Sequence, residues 1–73
     1  MILLTMTTCG PCQVLKQMIE ENGIECSIVD ATSDEGAELA TKHKVRSVPT
    51  LIIGEDSYNG FVPIKTKLGS LTT

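Results

Sequence analysis

A chain of 73 residues has room for one domain, and with Tyr58 and Phe61 as its only aromatics that domain needs an aliphatic core. A formal net charge of −3 argues against non-specific nucleic-acid binding, which requires a basic face. The apolar opening MILLTM is too short to span a bilayer, and three cysteines, an odd number, suit a secreted disulfide framework poorly, so we expect no membrane association and a soluble, cytoplasmic protein.

In chain order, Ile2–Met6 reads as a short buried strand bounded by threonines. Pro11–Asn22 reads as a helix: Val14, Leu15, Met18 and Ile19 form one apolar stripe, Pro11 suits the first turn, and Gly23 suits the stop. Ile24–Asp30 is expected as the second strand. Thr32 to Glu35 then resembles a capping box, with Thr32 as cap and Glu35 reaching back. The helix that follows ends near His43, its acids early and its bases late, as the helix dipole favours. Thr50–Ile53 is a third strand and Ser57–Asn59 a short fourth, joined through a turn at Gly54. Pro63 opens a last helix that ends at Gly69. The expected order is β-α-β-α-β-β-α in one α/β domain over residues 1–73. Its first two strands run parallel, and the hairpin adds antiparallel strands.

Cys9-Gly10-Pro11-Cys12 sits where the first strand hands over to the first helix. The first amides of a helix lack internal partners, and they and the positive dipole end stabilise a thiolate placed there. The pKa of such a cysteine drops below its ordinary value of about 8.5. Cys9 is then the attacking thiol, and Cys12, one turn further in and more buried, resolves the mixed disulfide. Pro11 stiffens the loop between them. Two other uses compete. A disulfide closing so short a loop gains little entropy and makes a poor staple. Cys9, Cys12, Cys26 and His43 make a nominal Cys3His zinc set, but no second close pair of ligands accompanies the first.

A second signal is Val48-Pro49-Thr50. Proline just before a buried strand marks either a strand-edge break or a cis turn, and the upstream dithiol and the element order favour cis. On CGPC, SVPT and that order, the chain resembles the thioredoxin/glutaredoxin superfamily over essentially its whole length. The resemblance implies a thioredoxin fold with a four-stranded mixed sheet flanked by helices. It implies Cys9 as nucleophile, Cys12 as resolving thiol and Pro49 as the cis-proline beside them. Val48 would offer its backbone N–H and C=O to an extended substrate strand, and Thr8, Gly10 and Pro11 would border the docking surface.

The length resembles glutaredoxins, whereas CGPC resembles thioredoxins. Thr8 stands where thioredoxins usually carry tryptophan, and the first strand holds no acid to accept a proton from Cys12. No lysine precedes the dithiol, and no GG-x-D pattern follows the hairpin, as glutathione-using glutaredoxins have; only Lys44 and Arg46 lie near the Pro49 loop. Asn59-Gly60-Phe61-Val62-Pro63 is similar to the SGFRP segment of NrdH-type redoxins, with Asn59 for serine and Val62 for arginine. That resemblance implies substrate contacts at Gly60 and Phe61. It implies a small, monomeric thiol–disulfide oxidoreductase without bound cofactor or metal, reducing protein disulfides. Thioredoxin reductase would supply its electrons, and ribonucleotide reductase is a possible target. The alternatives are a glutathione-dependent glutaredoxin, a metal-site protein holding structural zinc or an iron–sulfur cluster, and a non-catalytic module that kept the fold. Cys26, alternating with Ile24 and Ile28, is expected to be a buried inert thiol, and His43 a solvated residue at a helix end.

Overall fold

The computed structural model describes residues 1–71, and its seven elements follow in the expected order. They are β1 (Ile2–Thr5), α1 (Gly10–Glu21), β2 (Ser27–Asp30), α2 (Asp34–Lys42), β3 (Thr50–Ile53), β4 (Asp56–Asn59) and α3 (Phe61–Leu71). The strands form one mixed sheet in the order β2-β1-β3-β4. β1 pairs parallel with β2 and antiparallel with β3, and β3 pairs antiparallel with β4. The fold is thus the mixed four-stranded thioredoxin fold.

Burial follows from this order. β1 and β3 are the inner strands, and Leu3, Leu4, Leu51 and Ile52 are almost fully buried on both faces. On one face Leu3 and Leu51 meet Leu15 and Ile19 of α1 and Ile64 and Leu68 of α3. Strand alternation puts Leu4 and Ile52 on the other face. The edge strands are only partly covered, and Ile28 of β2 is exposed. No helix among the described residues is long and apolar enough to cross a membrane.

Several element ends differ from the sequence reading, each for a local reason. β2 begins at Ser27 rather than Ile24, because the ladder starts where Ser27 finds Ile2, and Ile24 is still bonded to the end of α1 through Ile19 O (3.1 Å). The inward face of α1 is Cys12, Leu15 and Ile19, spaced i, i+3, i+7, with Met18 at its margin; Val14 lies off that stripe and is half exposed. α2 is capped by Ser33 and not by Thr32. Asp30 Oδ1 accepts from both the amide (2.7 Å) and the hydroxyl (2.6 Å) of Thr32, and Ser33 Oγ is left to accept from Gly36 N (3.0 Å). These bonds, the hydroxyl's first and the amide's second, hold the exposed Asp30 carboxyl below its ordinary pKa. α3 starts at Phe61, two residues before Pro63. Gly60 turns the chain at φ +97° and its carbonyl accepts from Ile64 N, so Pro63 occupies the first turn, where its missing N–H is no loss.

The first two helices, α1 and α2, end alike. After α1, Gly23 is left-handed (φ +62°), and Ile24 N and Gly23 N bond back to Ile19 O and Glu20 O. After α2, Val45 N and Lys44 N make the same two bonds to Ala40 O and Thr41 O, but the left-handed residue is Lys44 (φ 56°). This turn ends α2 and directs the chain into the loop that carries Pro49.

α2 approaches the end of β2 closely enough to require a glycine. A Cβ on Gly36 would meet the carbonyl oxygen of Asp30 and would lie 2.8 Å from Ala31 Cα, both backbone atoms that cannot rotate aside. Gly36→Ala is therefore expected to destabilise the fold by about 2 kcal/mol despite the better helix propensity of alanine, lowering Tm by roughly 10 °C. Thermal unfolding of the oxidised protein tests this; an unchanged or higher Tm would refute the close approach.

Candidate active site

Cys9 is the cap of α1. Its backbone is extended (φ −86°, ψ 109°), and its sulfur accepts a hydrogen bond from the amide of Cys12 at 3.2 Å. Cys9 N in turn bonds to Met6 O (3.1 Å), so a tight turn links the end of β1 to the helix. Cys9 and Cys12 are joined by a disulfide with their Cα atoms 5.2 Å apart. Their surroundings differ sharply: Cys12 is wholly buried, whereas Cys9 is partly open. Thr7, Thr8, Gly10 and Pro11 are all exposed around Cys9, and a side chain at Gly10 would meet no atom within 4 Å. Pro11 lies in the first helical turn, as expected.

The sheet register brings the second signal to the same place. β3 runs against β1 with Thr50 opposite Leu4, so the residues before Thr50 lie at the end of the sheet from which β1 leads to Cys9. There the Val48–Pro49 peptide bond is cis, as read from the sequence. Pro49 is buried, and Val48 is half-buried. The amide and carbonyl of Val48 make no backbone hydrogen bond among the described residues.

β4 completes this end. Asn59 lies opposite Thr50, and the next amide, Gly60 N, donates to Pro49 O at 3.1 Å. Phe61 opens α3, is half-buried against the core, and carries Lys65 Nζ 5.8 Å above its ring. Thus Thr8, Cys9, Gly10, Pro11, Cys12, Val48, Pro49, Gly60 and Phe61 gather at one end of the sheet, although they come from three separate stretches of the chain. Sequence reading missed the side chain of Asn59, whose amide bonds to Ser47 and Thr50 on either side of the cis bond. The only sequence signal was its place beside Gly60, in the position of a serine in the segment it resembles.

The electrostatics are sparse. The first turn of α1 holds no acid, and no carboxylate is buried among the described residues, so Cys12 has no inner proton acceptor. The nominal zinc set is not assembled: no group of three or more His, Cys, Asp or Glu is placed to hold a metal ion among the described residues. His43 caps the far end of α2. Cys26 is half-buried rather than buried, in a groove between α1 and β2, because the ladder begins only at the following residue and β2 is an edge strand. Burial nonetheless pushes its thiol pKa up, so it is a poor nucleophile beside the pair.

Comparison with known proteins agrees with this geometry. Residues 1–58 match the family model described as Glutaredoxin. The chain is 40% identical over 52 residues to the thioredoxin of Bacillus subtilis, covering 66% of this chain and 50% of that protein. It is 31% identical over 72 residues to thioredoxin 1 of Synechococcus elongatus, covering 86% of this chain and 67% of that protein. The chain therefore spans about half to two thirds of the length of these curated relatives. Among solved structures it resembles the glutaredoxin-like protein NrdH-redoxin from Escherichia coli, described as having a thioredoxin-like activity profile, with a TM-score of 0.75 and 25% identity over 99% of this chain and 93% of the other. A mutant of the thioredoxin-like protein BC3987 has the same fold, with a TM-score of 0.77 and 20% identity over 99% and 95% of the two chains. The Cys9–Cys12 disulfide lies within the stretch that matches the Glutaredoxin model.

Proposed function

The chain belongs to the glutaredoxin family, and from that premise we propose that it is a thiol–disulfide oxidoreductase that reduces protein disulfides in the cytoplasm. The observation that carries the reading is the asymmetry of the pair: an accessible sulfur at a helix cap bonded to a buried one a turn deeper. In the reduced protein the Cys9 thiolate attacks one sulfur of the substrate disulfide. That S–S bond breaks, a mixed disulfide forms on Cys9, and the first substrate sulfur leaves as a thiolate. Cys12 then loses its proton to solvent, there being no inner carboxylate to take it, and attacks the Cys9 sulfur. The mixed disulfide breaks, the second substrate thiolate leaves, and the Cys9–Cys12 disulfide closes. Two electrons pass to the substrate, its two thiolates take up two protons, and the protein ends in the oxidised state of this structure.

Docking follows from the free backbone at Val48. An extended substrate segment can pair with its N–H and C=O as an added strand, which brings the target disulfide over Cys9. Thr8, Gly10, Pro11, Gly60 and Phe61 border that surface. Several thioredoxins among the relatives, together with the thioredoxin-like profile stated for NrdH-redoxin, favour thioredoxin reductase as electron donor over glutathione. The likeness to NrdH-redoxin also makes ribonucleotide reductase the first target to try. Oxidation of NADPH with insulin as acceptor tests this, with thioredoxin reductase in one arm and glutathione plus glutathione reductase in the other. Turnover in the first arm is expected. Turnover only in the second would make the protein glutathione-dependent, with Lys44 and Arg46, close before Pro49 in the chain, as candidate contacts for a glutathione carboxylate. Inactivity in both, with the dithiol reduced and accessible, would overturn the reading.

A further inference from the structure

The loop that carries the cis bond is tied at both ends to one side chain on the neighbouring strand. Ser47 Oγ donates to Asn59 Oδ1 at 3.1 Å, and Asn59 Nδ2 donates to Ser47 O at 3.2 Å and to Thr50 Oγ1 at 2.8 Å. Thr50 Oγ1, almost fully buried, donates to the same Ser47 carbonyl at 2.8 Å. The next residue along β4 adds the bond from Gly60 N to Pro49 O. Residues 47, 49 and 50 are thus all held from β4, while Val48 between them keeps its backbone groups free.

Only a carboxamide of this length satisfies the arrangement. The position needs an acceptor for the Ser47 hydroxyl and donors for two oxygens at once. Aspartate keeps the shape and the acceptor but has no N–H, and it sets a negative charge against the Ser47 carbonyl. Serine is too short to reach both residues. We propose that Asn59 is a positioning residue for substrate docking: by bridging Ser47 and Thr50 it holds the Val48 backbone in the extended orientation that a substrate strand must match. This rests on the reading of Val48 as the docking edge. A preorganised edge saves the ordering cost when a strand adds to it. A small disulfide that only touches Cys9 gains nothing from that edge, so Asn59 favours polypeptide over small disulfides.

The test uses pre-reduced protein without any reductase. Its single-turnover oxidation is followed by acid quench and thiol alkylation, over a range of insulin concentrations and, separately, with hydroxyethyl disulfide. Asn59→Asp, which loses two neutral hydrogen bonds, and Asn59→Ala, which loses all three, are expected to raise the half-saturating insulin concentration at least about tenfold. The limiting rate and the rate with hydroxyethyl disulfide should stay within about twofold of wild type, a split that general loosening of the fold would not produce. Asn59→Gln, which keeps both functions of the amide, should recover part of the loss. Half-saturation within about twofold of wild type in both variants would overturn the inference, as would equal losses with the two disulfides. Wild-type protein inert toward both would instead overturn the oxidoreductase reading, and the inference with it.

Discussion

Cys9→Ser is expected to lower disulfide reduction by at least about a thousandfold, roughly 4 kcal/mol of transition-state stabilisation, while leaving the fold intact. A serine hydroxyl at this position is not ionised at neutral pH and forms no mixed disulfide, so the first step has no nucleophile. The structural role of the residue survives the change. Cys9 caps α1 by accepting the Cys12 amide on its side chain, and serine is among the preferred residues for that task. Against the reduced wild-type protein, whose disulfide is also open, the variant should unfold at nearly the same urea concentration. Activity and stability therefore separate. A variant that kept more than about a tenth of wild-type turnover would show that another thiol attacks. The remaining thiols are Cys12, which is fully buried, and Cys26, which is half-buried with its pKa pushed up.

The second large effect is expected at Cys12. Without it the first exchange proceeds and the second cannot, so Cys12→Ser or Cys12→Ala should accumulate a mixed disulfide through Cys9 at up to one substrate per protein, with steady-state turnover again reduced by orders of magnitude. The two variants differ in stability. Cys12 is fully buried, so serine brings a hydroxyl into the core at a cost of about 1–2 kcal/mol, whereas alanine leaves only a small void. Agreement between them in trapping, despite that difference, assigns the effect to resolution of the intermediate. Non-reducing mass spectrometry after mixing pre-reduced variant with insulin reads the adduct directly. Substrate trapped on Cys12 in the Cys9→Ser protein, and none on Cys9 in the Cys12 variants, would reverse the order of attack. It would also contradict the exposure of the two sulfurs.

The chemistry at the helix end and the position of Pro49 meet through strand direction. β1 runs toward the dithiol, and β3 starts beside it and runs away, so the antiparallel pairing of Leu4 with Thr50 puts two distant stretches at one sheet end. β4 then returns antiparallel to β3 and delivers Asn59 and Gly60 to the same spot. A parallel third strand would have placed Pro49 at the opposite end from Cys9. The site therefore depends on the mixed sheet as much as on the cysteines themselves.

Much of this was legible in the residues alone. The central strands are short apolar runs because they are covered on both faces, so Ile2–Thr5 and Thr50–Ile53 stand out without context. The dithiol is local in sequence and owes its asymmetry to one helical turn, and the proline before β3 lies where a strand must begin. Signals that rest on competition between neighbours were not legible. Thr32 and Ser33 are both good caps; Asp30 decides between them by accepting from Thr32, and that is a three-dimensional bond. Val14 and Leu15 are equally apolar, and only the rotation of α1 about its axis against β1 and α3 buries one and exposes the other. Cys26 alternates as a buried strand residue should, but alternation does not say that β2 is an edge strand. Asn59 reads as an ordinary polar residue at a strand end, and its three bonds cross 9 to 12 positions of sequence. Local chemistry and periodicity are properties of the chain and are carried in its order of residues. Which of two suitable neighbours is used, and which side chains meet across strands, depends on packing that exists only once the sheet has formed.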